Sequence, residues 1–520
     1  MGILLNPGNA EFKMSFNSDI YVDKSELIIQ TNSILNKENR FVCISRPRRF
    51  GKSMAANMLT AYYSCGCDSK VFFDKLKISK ADDYTEHLNK YNVIHLNMTQ
   101  YVSVTGTIES EIEKLSKRLL FELHKENPDV ECFDPESLVD VLADIFAQKN
   151  IPFIFIIDEW DCIFRMHKDE KDAQIYYLNF LRNLLKDRSY VALAYMTGIL
   201  PIKKYGEHSA LNMFTEISIA GADNYAEFTG FTEEEVKKLC NKYQMPYDEI
   251  KQWYDGYNVD NISIYNPKSV VEAMLRHRID NFWSKTETFE ALADYIQADY
   301  DDLHNKVVRL IGGEKLEVDV TTFQNDMVTF NSSDDILTLL IHLGYLTYDF
   351  DTKRCWIPNS EVQEEFIRSI KNDKGWSKIM SAIKESDELL QAVLDGNADI
   401  VAAGVEKCHD DNTSILKFND ENSLSCVISL AFYSARKYYM IVREMPAGKG
   451  FADLVFLPMP KVDKPALVIE LKNNLAVDTS IDQIKKKNYP DRIKEYIGNV
   501  FLVGITYNDD KHHECVIEKI

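Results

Sequence analysis

The sequence predicts an α/β chain: a mostly parallel sheet with a phosphate-binding turn, a helical middle region, and a second α/β domain at the C-terminus. Three observations predict it. The run Arg46-Pro47-Arg48-Arg49-Phe50-Gly51-Lys52-Ser53 follows the apolar stretch Phe41-Val42-Cys43-Ile44. A second apolar stretch, Ile154-Phe155-Ile156-Ile157, ends in Asp158-Glu159. Far downstream, Asp453 and Glu470-Leu471-Lys472 stand on two further strand-like runs.

Strand-like runs open the chain at Phe41–Ile44, Val93–Met98, Pro152–Ile157, Val191–Thr197 and Glu216–Ala220. Amphipathic, helix-like segments lie between them at Ile108–Lys125, Pro135–Gln148 and Asp172–Lys186. Strands alternating with helices predict a parallel sheet covered on both faces. The acid-bearing strand is third in the list. A strand intervening between the two phosphate-site strands fits the P-loop division that carries its own catalytic glutamate, the ASCE or AAA-like form.

From Phe228 to about Asp280 the pattern turns helical. Thr232 and Glu235 make a capping box, with Gly230 as a break before it. Trp253-Tyr254-Asp255-Gly256-Tyr257 reads as a helix end and turn. Asp335–Leu343 reads as a helix, Tyr345–Pro358 as a hairpin turning near Asp351-Thr352-Lys353, and Glu361–Lys371 as another helix. That order suggests a winged-helix-like unit, either a lid packed on the first domain or a direct reader of DNA. Connecting helices follow from about 375 to 410. Strands return at Tyr438–Arg443, Ala452–Leu457, Ala466–Leu471 and Val500–Ile505, with a helical stretch Ser480–Tyr496 before the last. The expected divisions are 1–225, 226–375, 376–410 and 411–520.

The phosphate site follows from residue chemistry. Lys52 can reach the β- and γ-phosphates of a nucleotide, and Ser53 can hold magnesium from the first helical turn. The helix N-terminus adds free N–H groups and its dipole. Asp158 is the natural direct or indirect magnesium ligand, Glu159 the natural base for the attacking water, and Thr197 a candidate sensor of the γ-phosphate. Arg46 occupies the place where such a loop usually has its first glycine, and an arginine takes positive φ only at a cost. The turn is therefore expected to be shaped differently, with Pro47 fixing it. Arg46, Arg48 and Arg49 either contact phosphate or pair with acids elsewhere. Gly51 completes the set.

Composition is that of a globular protein: 520 residues, 45% apolar and 27% charged. A formal charge of −21 argues against coating nucleic acid by bulk electrostatics, although a local basic channel would still serve. The ten cysteines follow no repeated spacing, the N-terminus has no signal-like run, and no stretch approaches the ~20 apolar residues that span a bilayer. A reduced, cytoplasmic setting without a membrane partner is expected. Met1-Gly2 lacks the Ser or Thr that myristoylation favours, since Asn6 stands there. Neither Cys65-Gly66-Cys67 nor His512-His513-Glu514-Cys515 has zinc-site spacing.

Several of these segments occur together in order: Tyr21-Val22-Asp23-Lys24, the 46–53 run, Met196-Thr197-Gly198-Ile199, Trp253–Tyr257, and Tyr265-Asn266-Pro267. In that combination the chain resembles the predicted AAA-ATPase-like family of bacteria over roughly residues 6–290. Arginine in place of the first glycine is itself similar to that family's form. The resemblance implies ATP as the nucleotide, and a C-terminal PD-(D/E)XK nuclease superfamily domain of restriction-endonuclease-like fold.

At that end, residues two apart on a strand share a face, so Glu470 and Lys472 point together. If the strands bearing Asp453 and Glu470 pair, the two carboxylates meet. They can then hold one or two magnesium ions against a scissile phosphate, with Lys472 orienting water or stabilising charge. Gln483 is similar to an accessory motif of the superfamily, and Glu421 on an earlier helix is an additional metal-ligand candidate. Lys485-Lys486-Lys487 either tracks a nucleic-acid backbone or forms a solvated helix face. The expected function is a cytoplasmic ATP-binding and ATP-hydrolysing protein coupled to a metal-dependent nuclease, on DNA ahead of RNA. The alternative is a nucleotide-switched binding or scaffold protein with a silent nuclease-like domain. Homo-oligomerisation is left open.

Overall fold

The structure, a computed structural model, describes residues 2–102, 106–202, 210–219, 221, 223–283, 289–297, 300–324, 327–371, 374–412, 421–447, 450–459, 462–473, 496, 498–507 and 512–520. The chain packs as two units. The first comprises Met1–Met245, Tyr254–Arg278 and Glu317–Pro358; the second comprises Pro246–Trp253, Ile279–Leu316 and Asn359–Ile520.

The first unit is built on strands β1 (Phe41–Ser45), β2 (Asn92–Asn97), β3 (Phe153–Asp158), β4 (Val191–Gly198) and β5 (Thr215–Ile217). They lie side by side in the order β2-β3-β4-β1-β5, with every pairing parallel. The acid-bearing β3 is thus separated from β1 by β4, whereas β2, the strand between them in sequence, lies at the far side of β3. Strands β1, β3 and β4 are buried along their whole length, which explains why they read as continuous apolar runs. Burying one such Val, Leu, Ile or Phe is worth roughly 1.5–3 kcal/mol.

The connections are helices with one apolar stripe. In Ile108–Glu126 the buried set includes Ile108, Ile112, Leu115, Leu119 and Leu123, the three-and-four spacing of one helical face. Thr107 caps this helix by accepting the Ser110 N–H, and Ser137 caps Leu138–Lys149 through the Asp140 N–H. The last apolar run shortens to Thr215–Ile217, and Ala220 lies outside the described residues.

Beyond the sheet, Thr232 and Glu235 form the anticipated capping box on helix Glu233–Tyr243. A small antiparallel sheet joins β6 (Phe231–Thr232), β7 (Tyr257–Val259) and β8 (Ile262–Tyr265) in the order β6-β8-β7, which periodicity alone did not reveal. Asn266 then caps helix Pro267–Arg276, with Pro267 in its first turn. After β9 (Leu316–Glu317), helix Ser333–Leu343 leads into the hairpin of β10 (Thr347–Asp349) and β11 (Arg354–Trp356). The Tyr257 hydroxyl donates to the Gly344 carbonyl at 3.0 Å, and the Asn258 N–H to Thr347 Oγ1 at 2.8 Å, tying this hairpin to β7. The following helix, Ser360–Ile370, belongs to the second unit.

That second unit ends in a mixed sheet of β12 (Tyr439–Ala447), β13 (Gly450–Pro458), β14 (Ala466–Asn473), β15 (Val500–Tyr507) and β16 (His513–Lys519), in sequential order. Only β14 and β15 pair in parallel. Val455, Leu457, Ala466, Val468, Val500 and Leu502 form an apolar core cluster here. Strand β16 was not anticipated: the His512–Cys515 segment enters it, with His513 opposite Tyr507 and Cys515 opposite Ile505. All ten cysteines are free thiols.

Candidate active sites

The turn after β1 departs from a glycine-rich loop in a definite way. Arg46 does not adopt positive φ; Arg49 does, at 68°, and Gly51 at 88°. Gly51 is the residue before helix Lys52–Tyr63, and the left-handed backbone it needs is available to glycine without a steric cost. The Phe50 carbonyl accepts the Gly230 N–H at 2.8 Å, and the Phe50 ring meets the Tyr257 ring edge-on at 4.9 Å. Gly230 itself has φ 90°, and a Cβ there would fall 2.2 Å from Ile264 Cγ2.

Arg46 lies behind this turn, with 1% of its surface exposed. Its Nη1 donates to the carbonyls of Ser45 (3.0 Å) and Ile217 (3.3 Å), and burial pushes its pKa down to about 10. The guanidinium thus braces β5 against the turn, and Arg46 does not line the adjoining cavity. Arg48, Arg49, Gly51, Lys52, Ser53 and Glu159 do line that cavity, whose volume is about 710 Å³. Ser53 is exposed to it from the first helical turn.

Lys52 is 4% exposed, and its Nζ donates to the Arg46 and Pro47 carbonyls at 3.0 Å each. Burial lowers its pKa, against the pull of Glu159, Asp161 and Asp158. Asp158 ends β3 in the interior and accepts a hydrogen bond from the Thr197 hydroxyl on β4. Thr197 therefore faces Asp158, and both are buried beside the loop.

Glu159 takes φ 54° and is ion-paired to Arg165. The Nε of Arg165 also lies 3.3 Å from Asp161 Oδ2. Asp161 is fully buried and accepts the N–H groups of Ile199 (3.1 Å) and Leu200 (2.9 Å). Sequence reading missed both Asp161 and Arg165. The available signal was their spacing, four apart at the start of a short helix. Close to them, a Cβ on Gly198 would fall 2.6 Å from Trp160 Nε1, so this position of the Met196–Ile199 motif is one of close approach.

The Tyr21–Lys24 segment also reaches the cavity. Lys24 Nζ donates to the Glu227 carbonyl and to Glu235 Oε2, at 2.6 Å each. Asp23 accepts the N–H of Ser25 at 2.9 Å and of Lys77 at 2.7 Å. This segment is thereby fixed to the capping-box helix, and Tyr21, Phe50, Phe228 and Phe231 supply an apolar wall to the cavity.

In the second unit, β13 and β14 pair antiparallel with Leu454 opposite Ile469 at the end of the ladder, and Asp453 and Glu470 are the next residues on the two strands. Asp453 Oδ2 accepts the Leu471 N–H at 2.6 Å. Glu470 is 1% exposed, and its Oε1 lies 3.1 Å from Lys472 Nζ. Pairing thus brings Asp453, Glu470 and Lys472 together at one end of a sheet. Gln483 and Lys485–Lys487 lie outside the described residues. Glu421 opens helix Glu421–Ala431, and its side chain is outside them too. Among the described residues no group of three or more His, Cys, Asp or Glu gathers as a metal cluster. Two carboxylates of this kind are hard oxygen donors suited to magnesium.

Residues 9–206 match the family model described as Predicted AAA-ATPase, and residues 419–517 match that of the PD-(D/E)XK nuclease superfamily. The chain is 23% identical over 288 residues to an uncharacterized protein in the vnfD 5′ region of Azotobacter chroococcum mcd 1, covering 53% of this chain and 52% of that protein. The chain therefore spans about half the length of that curated relative. Among solved structures it resembles Cdc6p from Pyrobaculum aerophilum at 11% identity, covering 69% of this chain and 98% of that one, with TM-score 0.26. The Aeropyrum pernix ORC2 protein in its ADPNP–ADP complexes matches at 10% identity over 70% and 98% of the two chains, with TM-score 0.29. An AAA-ATPase-like segment and a PD-(D/E)XK nuclease-superfamily segment thus stand on one chain. No helix among the described residues is long and apolar enough to cross a membrane.

Proposed function

We propose that this chain, with its AAA-ATPase-like and PD-(D/E)XK segments, binds and hydrolyses ATP and is a magnesium-dependent nuclease acting on DNA. The observation that carries the reading is that Asp453 accepts the N–H of Leu471, the residue between Glu470 and Lys472, whose side chains pair with each other. Two carboxylates and an ammonium suit hydrolysis of a phosphodiester.

At the first site Lys52 binds the nucleotide phosphates after giving up the Arg46 and Pro47 carbonyls, and Arg48 and Arg49 add positive charge at the same cavity. Ser53 and Asp158 would hold magnesium, which when bound neutralises phosphate charge. Glu159 accepts the proton of the attacking water. To do so it leaves Arg165, which keeps Asp161 as a partner and is not stranded without a carboxylate. Thr197 holds Asp158 in place.

At the second site Asp453 and Glu470 would hold magnesium, which when bound stabilises charge on the scissile phosphate. Lys472 orients the water or meets the developing charge. The hairpin following helix Ser333–Leu343 is read as a winged-helix-like element, and the free thiols fit a reduced, cytoplasmic setting. The formal charge of −21 favours a second reading, a nucleotide-switched binding protein whose nuclease-like domain is silent.

Incubating the full chain with Mg²⁺ or Mn²⁺ and single-stranded, duplex or branched DNA, or RNA, with and without ATP, separates the two. Cleavage lost in an Asp453→Ala, Glu470→Ala double variant supports the nuclease. No cleavage by wild type under any of these conditions removes it.

A further inference from the structure

In the second unit, two arginines converge on a glycine turn away from the carboxylate pair. Helix Leu303–Ile311 ends at Gly312-Gly313, and Gly313 is exposed with φ 87°. A Cβ built on Gly313 would lie 3.4 Å from Arg443 Nη1 and 3.9 Å from Arg436 Nη2. Both guanidinium groups therefore border the same exposed backbone.

Their partners are unequal to their charge. Arg443 donates to the Gly312 carbonyl at 3.1 Å and to the Ser425 hydroxyl, both neutral. Arg436 stacks near Tyr433, its Cζ 5.4 Å from the ring centroid, and its buried Nε has no hydrogen-bond partner. Neither arginine has a carboxylate within ion-pair distance among the described residues. The nearby acid Glu314 is already held by both Nε and Nη2 of Arg309, at 2.8 and 2.5 Å. Burial first, and the Arg443 charge after it, lower the Arg436 pKa. An arriving oxyanion would offset both effects, and a planar guanidinium fork matches phosphate oxygens in geometry.

We propose that Arg436 and Arg443, at the Gly312–Gly313 turn, form a phosphate-binding site that takes the phosphodiester backbone of a nucleic acid. The sheet argues for a nucleic acid over a free anion. Arg443 lies on the edge strand β12, opposite Leu454, the residue after Asp453. Strands are spaced by about 5 Å, so a backbone crossing this edge reaches from Arg443 on one face toward Asp453 on the other. In naming its ligand, the proposal rests on the nuclease half of the function above.

The test measures binding of a labelled duplex by the full chain in EDTA, where no metal-dependent cutting occurs, across a KCl series. Arg443→Gln keeps donors for Gly312 and Ser425 while removing the charge, and Arg436→Gln removes the charge beside Tyr433. Each phosphate contact contributes about 0.9 to the slope of log affinity against log salt, so either variant is expected to flatten it by about one. Arg443→Lys should retain most of the slope, and unchanged melting temperatures exclude a folding defect. Unchanged slopes in both Gln variants overturn the site; if wild type still cuts in Mg²⁺, the nuclease reading stands without it. Arginine-dependent slopes in a chain that never cuts keep the site and remove the nuclease. No binding by wild type overturns the proposal. So does a melting-temperature rise with inorganic phosphate that needs Arg443 while the duplex slope does not, since the site then takes free anions.

Discussion

Arg165 is ion-paired to Glu159, six positions earlier, and keeps Asp161 as a second carboxylate 3.3 Å away. The candidate water-activating group is thus held by a cation with somewhere else to go. A base so placed can exchange partners without leaving a bare buried charge, which is the costly alternative in a partly desolvated site.

Glu159→Gln should preserve nucleotide binding and slow ATP turnover. The amide keeps shape and polarity but cannot take a proton, and a positioned base contributes typically ~10²–10⁴-fold. Steady-state ATPase assays beside nucleotide titrations check this. Wild-type turnover in the variant would move the role to another residue.

ATP with magnesium should raise the melting temperature of the wild-type chain. Ligand at about 100 times its Kd adds roughly 2.7 kcal/mol to the state that binds it. Lys52→Ala should remove most of that rise, since Lys52 stands at the head of the helix beside the cavity. A rise of equal size in the variant would place the nucleotide elsewhere.

Asp453→Ala and Glu470→Ala should each abolish metal-dependent cleavage and leave the ATP-induced thermal shift intact. Lys472→Ala should lower the rate more than the metal affinity, because its ammonium acts on phosphate or water. Mg²⁺ titrations of cleavage rate resolve the two effects. A Lys472 variant that shifts only the metal dependence would assign it to holding Glu470.

Gly198→Ala should destabilise the first unit by about 1–3 kcal/mol, the cost of forcing an extra methyl into a filled interior. The added carbon meets Trp160 Nε1 at 2.6 Å and Asp161 Oδ1 at 2.9 Å, so it also strains the segment holding Glu159. Urea unfolding compares the two proteins. Equal midpoints would show that Trp160 yields freely.

Stability should fall as pH drops from about 6.5 to about 4. Burial, with the Arg46 charge after it, pushes the His342 pKa down to about 4, and burial with His409 does the same to His513. Each folded-state pKa lies below its unfolded value, so in that window the unfolded chain binds protons that the folded chain refuses. His342→Gln should flatten this part of a melting-temperature profile. A profile of wild-type steepness in the variant would remove His342 from the account.

Most of the long elements, and the residues proposed for chemistry, were legible in the residues alone. Continuous apolar runs marked β1, β3 and β4, because strands buried on both faces need no alternation. The Asp158-Glu159 pair announced itself at the end of such a strand, and Lys52-Ser53 by following one across the turn. Asp453 and Glu470-Leu471-Lys472 were legible through period-two geometry, which puts Glu470 and Lys472 on one face before any partner strand is known. What surrounds these groups depends on packing between segments far apart in the chain. Arg46 reads as a loop residue, yet packing turns it to brace β5, where its Nη1 reaches the carbonyl of Ile217, 171 positions away. Arg165 and Asp161 gain meaning only when folding sets one beside Glu159 and the other beneath Ile199 and Leu200. The β6-β8-β7 sheet and β16 escaped notice for a related reason. Short strands with mixed patterns are stabilised by neighbours distant in sequence, and those contacts leave no period in the chain itself.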